Sequence, residues 1–178
     1  MKNQNIENEV KFKIKSVTEV KKKVLSQGFL FGGESYQEDH YFSPFHKNFA
    51  GTKKYYLRLR NKNDKCIFAY HIVKNNLQTK EFEVGIDSFD IFYNIMKLLD
   101  FKIDCIVKKN RLTYKKNDIK IMIDSVEKLG NFIEIEYCGR FTKKIKNKFS
   151  NLIKIFNLKN KDLIKGMGYP DLLMNKKL

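Results

Sequence analysis

Eight segments of this chain alternate charged and apolar residues with a period of two, and this repetition limits its folds more than any other feature. The segments lie near 6–15, 35–43, 55–62, 65–74, 79–85, 105–115, 118–126 and 131–138. Successive side chains of a strand point to opposite faces. Glu7, Glu9, Lys11 and Lys13 therefore share one face, with Val10, Phe12 and Ile14 behind them. Arg58 and Arg60 are backed by Leu57 and Leu59, and Glu134 and Glu136 by Ile133 and Ile135. Glu81 and Glu83 are backed by Phe82 and Val84, and Lys120, Met122 and Asp124 by Ile119, Ile121 and Ile123. Lys109 and Arg111 share a face with Thr113, and Lys74 closes a strand containing Tyr70 and Ile72. The charged faces also segregate by sign, which a merely solvated face would do less often. Residues 60–66 and 115–118, rich in Asn, Asp and Lys, read as hairpin turns.

Helical spacing appears between the strand groups. Residues 17–27 open on a Ser16 or Thr18 cap and stop at Gly28. Residues 87–100 place Phe89, Phe92, Ile95, Met96 and Leu99 on helical spacing, with Asp87 or Ser88 as cap. Residues 142–157 carry an apolar stripe opposite lysines, and a short helix is expected near 161–165. Antiparallel strands with helices to one side give an α+β class. Two architectures fit the faces: an open sheet with its charged face in water, or a closed barrel with charge inside and helices on its apolar exterior. Eight strands suffice for a barrel. Buried charge then needs compensation, which cations and a polyphosphate would supply. No linker or repeat divides the sequence, so 1–178 reads as a single domain.

The formal net charge of +16 points to an anionic partner, although lysine is abundant throughout. Only four basic residues are arginines: Arg58, Arg60, Arg111 and Arg140. In so lysine-biased a chain, arginine marks positions where the planar fork matters, as in phosphate binding. Cys66, Cys105 and Cys138 are far apart and odd in number, which argues against a disulfide framework or a structural zinc site. His40, His46 and His71 share no metal-ligand spacing, and packing or surface roles are expected of them. No apolar run approaches the ~20 residues of a membrane span. A cytoplasmic protein without a membrane partner is expected.

Taken in order, the motifs resemble those of the CYTH proteins, or triphosphate tunnel metalloenzymes, which include class IV adenylyl cyclases and thiamine triphosphatases. Glu7-x-Glu9-x-Lys11 resembles the family's ExExK signature, and Gln37 to Phe42 its QxDxYF stretch. Leu57-Arg58-Leu59-Arg60 resembles its LRxR strand, and Ile72-Val73-Lys74 with Lys80-Glu81-Phe82-Glu83 its lysine strand and the strand after it. Lys109-Asn110-Arg111-x-x-Tyr114 resembles KxRxxY, and Asp124 with Leu129 to Glu136 the D…LGxFxEIE block. Gly168 to Leu173 is similar to the SYxxLL tail of class IV cyclases, with Gly168 in place of the usual Ser.

The resemblance implies an eight-stranded antiparallel barrel, a triphosphate tunnel, with helices packed outside. It implies Mg²⁺ or Mn²⁺ held by Glu7, Glu9, Glu134 and Glu136. Lys11, Arg58, Arg60, Lys74, Lys109 and Arg111 would bind phosphates. Lys11, Glu9 and Asp124 would serve the chemistry. The implied substrate is a small-molecule triphosphate, either ATP or thiamine triphosphate, and a homodimer is compatible. A cyclase directs the 3′-hydroxyl of ATP at the α-phosphorus. A triphosphatase directs water at the γ-phosphorus of thiamine triphosphate, a nucleoside triphosphate or tripolyphosphate. The tail and the QxDxYF stretch favour the cyclase. A non-enzymatic module for RNA or polyphosphate is the contrasting reading. It leaves the paired glutamates unexplained, since they would repel a bare phosphate backbone, so nucleic acid is not the expected partner.

Overall fold

A computed structural model describes residues 6–47, 55–63 and 65–175. Asp64, inside the turn expected at 60–66, lies outside the described residues. The chain forms β1 (Ile6–Ile14), α1 (Val17–Ser26), β2 (Leu30–Pro44), β3 (Tyr55–Lys62), β4 (Lys65–Val73) and β5 (Gln78–Ile86). Then come α2 (Phe89–Leu98), β6 (Phe101–Lys116), β7 (Ile119–Val126), β8 (Gly130–Cys138), α3 (Lys143–Ile155), β9 (Leu163–Ile164) and α4 (Tyr169–Asn175). Every pairing is antiparallel, in the order β5-β4-β3-β2-β6-β7-β8-β1, and β5 pairs with β1 to close the barrel. Of the two architectures open to the sequence, the structure takes the closed one.

Closure is brief. β5 meets β1 only from Ile6↔Lys80 to Asn8↔Gln78. Beyond that point β9 takes over the same edge of β1, with Lys11↔Ile164 and Phe12↔Leu163. This edge explains why the helix expected at 161–165 does not form. A 3₁₀ turn at Asn160–Asp162 delivers Leu163 and Ile164 to backbone groups of β1 that β5 does not reach. The other helices start where their caps are: Ser16 accepts from the Glu19 amide, Ser88 from Ile91 and Thr142 from Ile145. Each such cap contributes about 1 kcal/mol.

β2 and β6 begin earlier than the alternation suggests, at Leu30 and Phe101. Gly32 and Gly33 interrupt the period, and the register shifts between Phe31 and Gly33, where φ of Gly33 is 127°. α4 has no counterpart among the expected elements, being a seven-residue helix with Pro170 in its first turn.

Two apolar layers cover the outside. Phe12, Ile121, Ile133 and Ile135 pack with Val20 and Val24 of α1 and Ile145, Phe149 and Leu152 of α3. Phe42 and Leu59 pack with Met96 of α2. A third cluster of Tyr41, Tyr56, Val107, Val126, Phe132 and Tyr169, with Leu172 and Leu173 against it, forms where α4 meets the barrel. Among the described residues no helix is long and apolar enough to cross a membrane.

Candidate active site

The charged strand faces point inward and line a cavity of about 250 Å³. Glu7, Glu9 and Lys11 come from β1, Arg58 and Arg60 from β3, His71 from β4, Glu81 and Glu83 from β5, Lys109 and Arg111 from β6, and Glu134 and Glu136 from β8. The strand order groups these residues by sign. β5, β1 and β8 are neighbours and carry the glutamates, while β3, β2 and β6 are neighbours and present the arginines and Lys109. β4 lies between the two walls on one side and β7 on the other. Three of the four arginines, Arg58, Arg60 and Arg111, line the cavity. Arg140 is exposed.

The basic wall is held by carboxylates behind it. Asp39 is fully buried and takes a two-point bond from Arg60, at 2.5 and 2.8 Å, and a 2.7 Å bond from Lys109. Burial alone would raise the Asp39 carboxyl, but Arg60 and Lys109 hold it well below the usual range. Burial lowers Lys109 to about 8, with Asp39 opposing and Arg60 and Arg111 adding to the fall. Arg111 donates at 2.7 and 2.5 Å to Asp124 and at 2.6 Å to Glu134. Asp124 does not line the cavity: it is fully buried behind Arg111 and also accepts from the Tyr169 hydroxyl at 2.8 Å. Its place is that of a residue that aims Arg111.

The acidic wall is less neutralised. Lys11 lies 3.1 Å from both Glu9 and Glu134, and its ammonium sits 4.3 Å from the centre of the Tyr169 ring. Burial opposes its charge, but Glu134 and Glu9 outweigh that and keep it protonated. Burial would likewise raise Glu134, but Arg111 and Lys11 hold it low. Glu9 and Glu7 behave in the opposite way. Burial, then Glu134, pushes Glu9 up to about 7, and burial, then Glu81 and Glu136, pushes Glu7 up to about 8. At these two carboxyls the protein alone disfavours the ionised form, which a bound cation would favour.

The four expected metal ligands thus share one wall but not one environment. Glu9 faces Glu136 across the strand pair, and Lys11 faces Glu134. Glu7, Glu136 and Cys138 bring ligand atoms within 4.8 Å of one another, and Lys120 bonds Glu136 at 2.5 Å. Hard carboxylate oxygens suit a divalent cation. Glu134, already bonded by two cations, is the least free of the four.

Lys74 falls outside this arrangement. It follows the last residue of β4, is exposed, and borders a separate hollow with Tyr55 and Lys165. His71, Asp39, Glu81, Glu83, Tyr169 and Asp171 join the residues expected to bind metal or phosphate; all but His71 lie within the quoted motifs, which gave them no such role. The structure brings in Tyr169 and Asp171 from the tail: the Tyr56 hydroxyl donates to Asp171 at 2.5 Å, and Asp171 also accepts from the Gly168 amide at 2.8 Å. Gly168 therefore lends a backbone donor to this junction.

The CYTH domain model matches residues 5–167. This chain belongs to the CYTH domain family. The charged barrel is the family's triphosphate tunnel fold. A Methanocaldococcus jannaschii protein, described as a "putative adenylate cyclase", is 36% identical over 134 residues, covering 74% of this chain and 76% of that one. A Pyrococcus horikoshii OT3 protein of solved structure is 29% identical, covers 93% of this chain and 98% of its own, and superimposes with a TM-score of 0.82. A Hippeastrum protein described as having a dominant triphosphatase activity superimposes with a TM-score of 0.62 at 15% identity, covering 86% of this CYTH chain and 88% of its own. That last likeness shows the fold.

Proposed function

We propose that this chain is a divalent-cation-dependent adenylyl cyclase of the class IV type, converting ATP to cyclic AMP and pyrophosphate. The observation that carries the triphosphate class is the pair of opposed walls. Six glutamates and five lysines or arginines line one cavity, and the basic wall is already paired to Asp39 and Asp124 behind it. Such a tunnel does not attract a polyphosphate by fixed charge alone; it needs cations on the acidic wall. Mg²⁺ or Mn²⁺ would be held by Glu7, Glu9 and Glu136, with Glu134 contributing. A cation held by these residues would supply neutralisation of phosphate oxygens and polarisation of the bond to be broken.

The side chains do the positioning. Arg58, Arg60, Lys109 and Arg111 grip phosphate oxygens from the opposite wall. Lys11, kept charged between Glu9 and Glu134, offsets the charge that grows on the departing phosphate. In the reaction the ribose O3′ bonds to the α-phosphorus, the α–β bridging bond breaks, and pyrophosphate leaves with its electron pair while the hydroxyl proton is released. Support for the cyclase over a triphosphatase comes from the tail, whose Tyr169 and Asp171 are bonded into the tunnel, and from the name of the Methanocaldococcus jannaschii relative.

Product analysis tests this reading. ATP, thiamine triphosphate and tripolyphosphate are each incubated with the protein and Mg²⁺ or Mn²⁺. Cyclic AMP with pyrophosphate from ATP is expected. Orthophosphate without cyclic AMP overturns the cyclase in favour of a triphosphatase, and no metal-dependent turnover with salt-sensitive RNA binding overturns both.

Cation binding should also depend on pH. Glu9 and Glu7 stand near 7 and 8 without metal, so below pH 7 both retain protons that a cation must displace. Mn²⁺ affinity should therefore rise as pH is raised from 6 to 8.5, with roughly one to two protons released per ion at pH 7. Calorimetry in buffers of different ionisation enthalpy measures both, and an affinity flat across that range contradicts the ligand assignment.

A further inference from the structure

The family motif assigns the phosphate contact of β4 to Lys74, but the β4 side chains that face the interior are Ala69, His71 and Val73, and Lys74 lies outside the cavity. We propose that His71 is the β4 residue that binds the triphosphate, donating a hydrogen bond from Nε2 to a phosphate oxygen while Glu81 fixes its ring through Nδ1. This rests on the triphosphate reading above.

Three observations carry it. The first is position: β4 joins the acidic wall of β5 to the basic wall of β3, and His71 is its imidazole at that seam. A ligand bridging metal-binding carboxylates and arginines passes this point. The second is an unmet bond. Among the described residues five buried side-chain atoms lack a hydrogen-bond partner: Gln37 Oε1, His40 Nδ1, Arg58 Nε, His71 Nε2 and Tyr114 Oη. Only Arg58 and His71 of these line the cavity. A buried polar group without a partner costs about 1–3 kcal/mol. Both are on neighbouring strands, and Arg58 is already in the phosphate set, so one anionic ligand would satisfy the pair. The third is orientation: His71 is 7% exposed, and its Nδ1 lies 3.1 Å from Glu81 Oε1. That contact leaves Nε2 as the free ring atom.

The surrounding charges favour an anion here over a second cation. His71, Glu81 and Glu83 could together ligate a metal, but Arg58 bonds Glu83 at 2.7 Å. Arg58 and Arg60 of β3 and Lys109 of β6 all act on the imidazole, against Asp39 of β2 and Glu81 of β5. Burial, then Arg58 and Arg60, holds the ring well below its usual range, while burial raises Glu81 against the pull of Arg58. Glu81 holds Nδ1, so the ring meets an incoming phosphate oxygen through Nε2, where the anion itself favours a hydrogen.

The test uses the full chain, inorganic tripolyphosphate and Mg²⁺ in a calorimetric titration. His71→Asn keeps a group near Glu81 but cannot reach the Nε2 position, whereas His71→Gln can. Asn should weaken binding on the order of 10-fold or more, Gln should stay within roughly 3-fold of wild type, and Lys74→Ala should match wild type. Asn binding like wild type, or Lys74→Ala weakening binding while Asn does not, overturns the proposal. If the wild type does not bind tripolyphosphate, the triphosphate reading itself fails, and the proposal with it. A measurement without substitution runs beside these, in case a variant misfolds: the ¹⁵N resonance of His71 Nε2 should shift when tripolyphosphate is added. An unchanged resonance at saturation overturns the proposal.

Discussion

Glu136→Gln should lower turnover at least ~100-fold with the fold intact, and Glu9→Gln should do the same. Partners that only orient a metal ligand cost 10–100-fold when lost, so a ligand should cost at least the upper end of that range. The two residues face one another across β1 and β8. Each substitution keeps the side-chain volume and a carbonyl oxygen and removes one negative charge. In Glu136→Gln the amide can still accept from Lys120, which now bonds the carboxylate at 2.5 Å. In Glu9→Gln the variant loses one of the two carboxylates that flank Lys11, and Glu134 remains at 3.1 Å. Steady-state turnover with Mg²⁺ or Mn²⁺, read beside the melting temperature, separates lost chemistry from lost structure. Near wild-type turnover in both variants would remove the acidic wall from the mechanism.

Why one part of this site is legible in the sequence and another is not follows from the period of a strand. Alternation assigns a face to every residue once the register is known. It therefore groups Glu7, Glu9 and Lys11, Arg58 and Arg60, Lys109 and Arg111, and Glu134 and Glu136 by itself, and all of these line the tunnel. The same rule is unforgiving by one residue. Lys74 follows Val73, and Val73 is the residue on the interior face, so the lysine that matches a motif turns away while His71 turns in. Alternation also cannot separate an open sheet from a closed barrel, because both place charge opposite the apolar face. What closes this barrel is the short pairing of β5 and β9 with β1, between segments far apart in the chain. The tail motif contains Tyr169 and Asp171 but not their contacts: their partners Asp124 and Tyr56 lie 45 and 115 residues away, and no local pattern reports such pairings.

Arg111→Met is expected to destabilise the metal-free protein by about 3 kcal/mol at neutral pH, towards the lower end of the 3–5 kcal/mol lost when one partner of a buried ion pair is removed. Among the described residues Arg111 is the single cation bonded to Asp124, which is fully buried and would keep only the Tyr169 hydroxyl from the partners described above. Glu134 would retain Lys11, which moderates the loss. Methionine fills similar volume, so a cavity contributes little. The deficit should depend on pH with a definite sign. In the wild type burial opposes the Glu134 charge, but Arg111 and Lys11 hold its carboxyl below the unfolded value. That stabilisation is present above the unfolded value near 4.5 and is lost as pH falls through the folded one. Without Arg111 the folded Glu134 carboxyl takes up its proton at higher pH, so the variant should regain stability relative to the wild type as pH is lowered from 7 to 5. Urea unfolding at both values measures this. A deficit below about 1 kcal/mol at pH 7, or one that grows on acidification, would mean that Arg111 does not compensate the buried carboxylates and that the basic wall is held by other means.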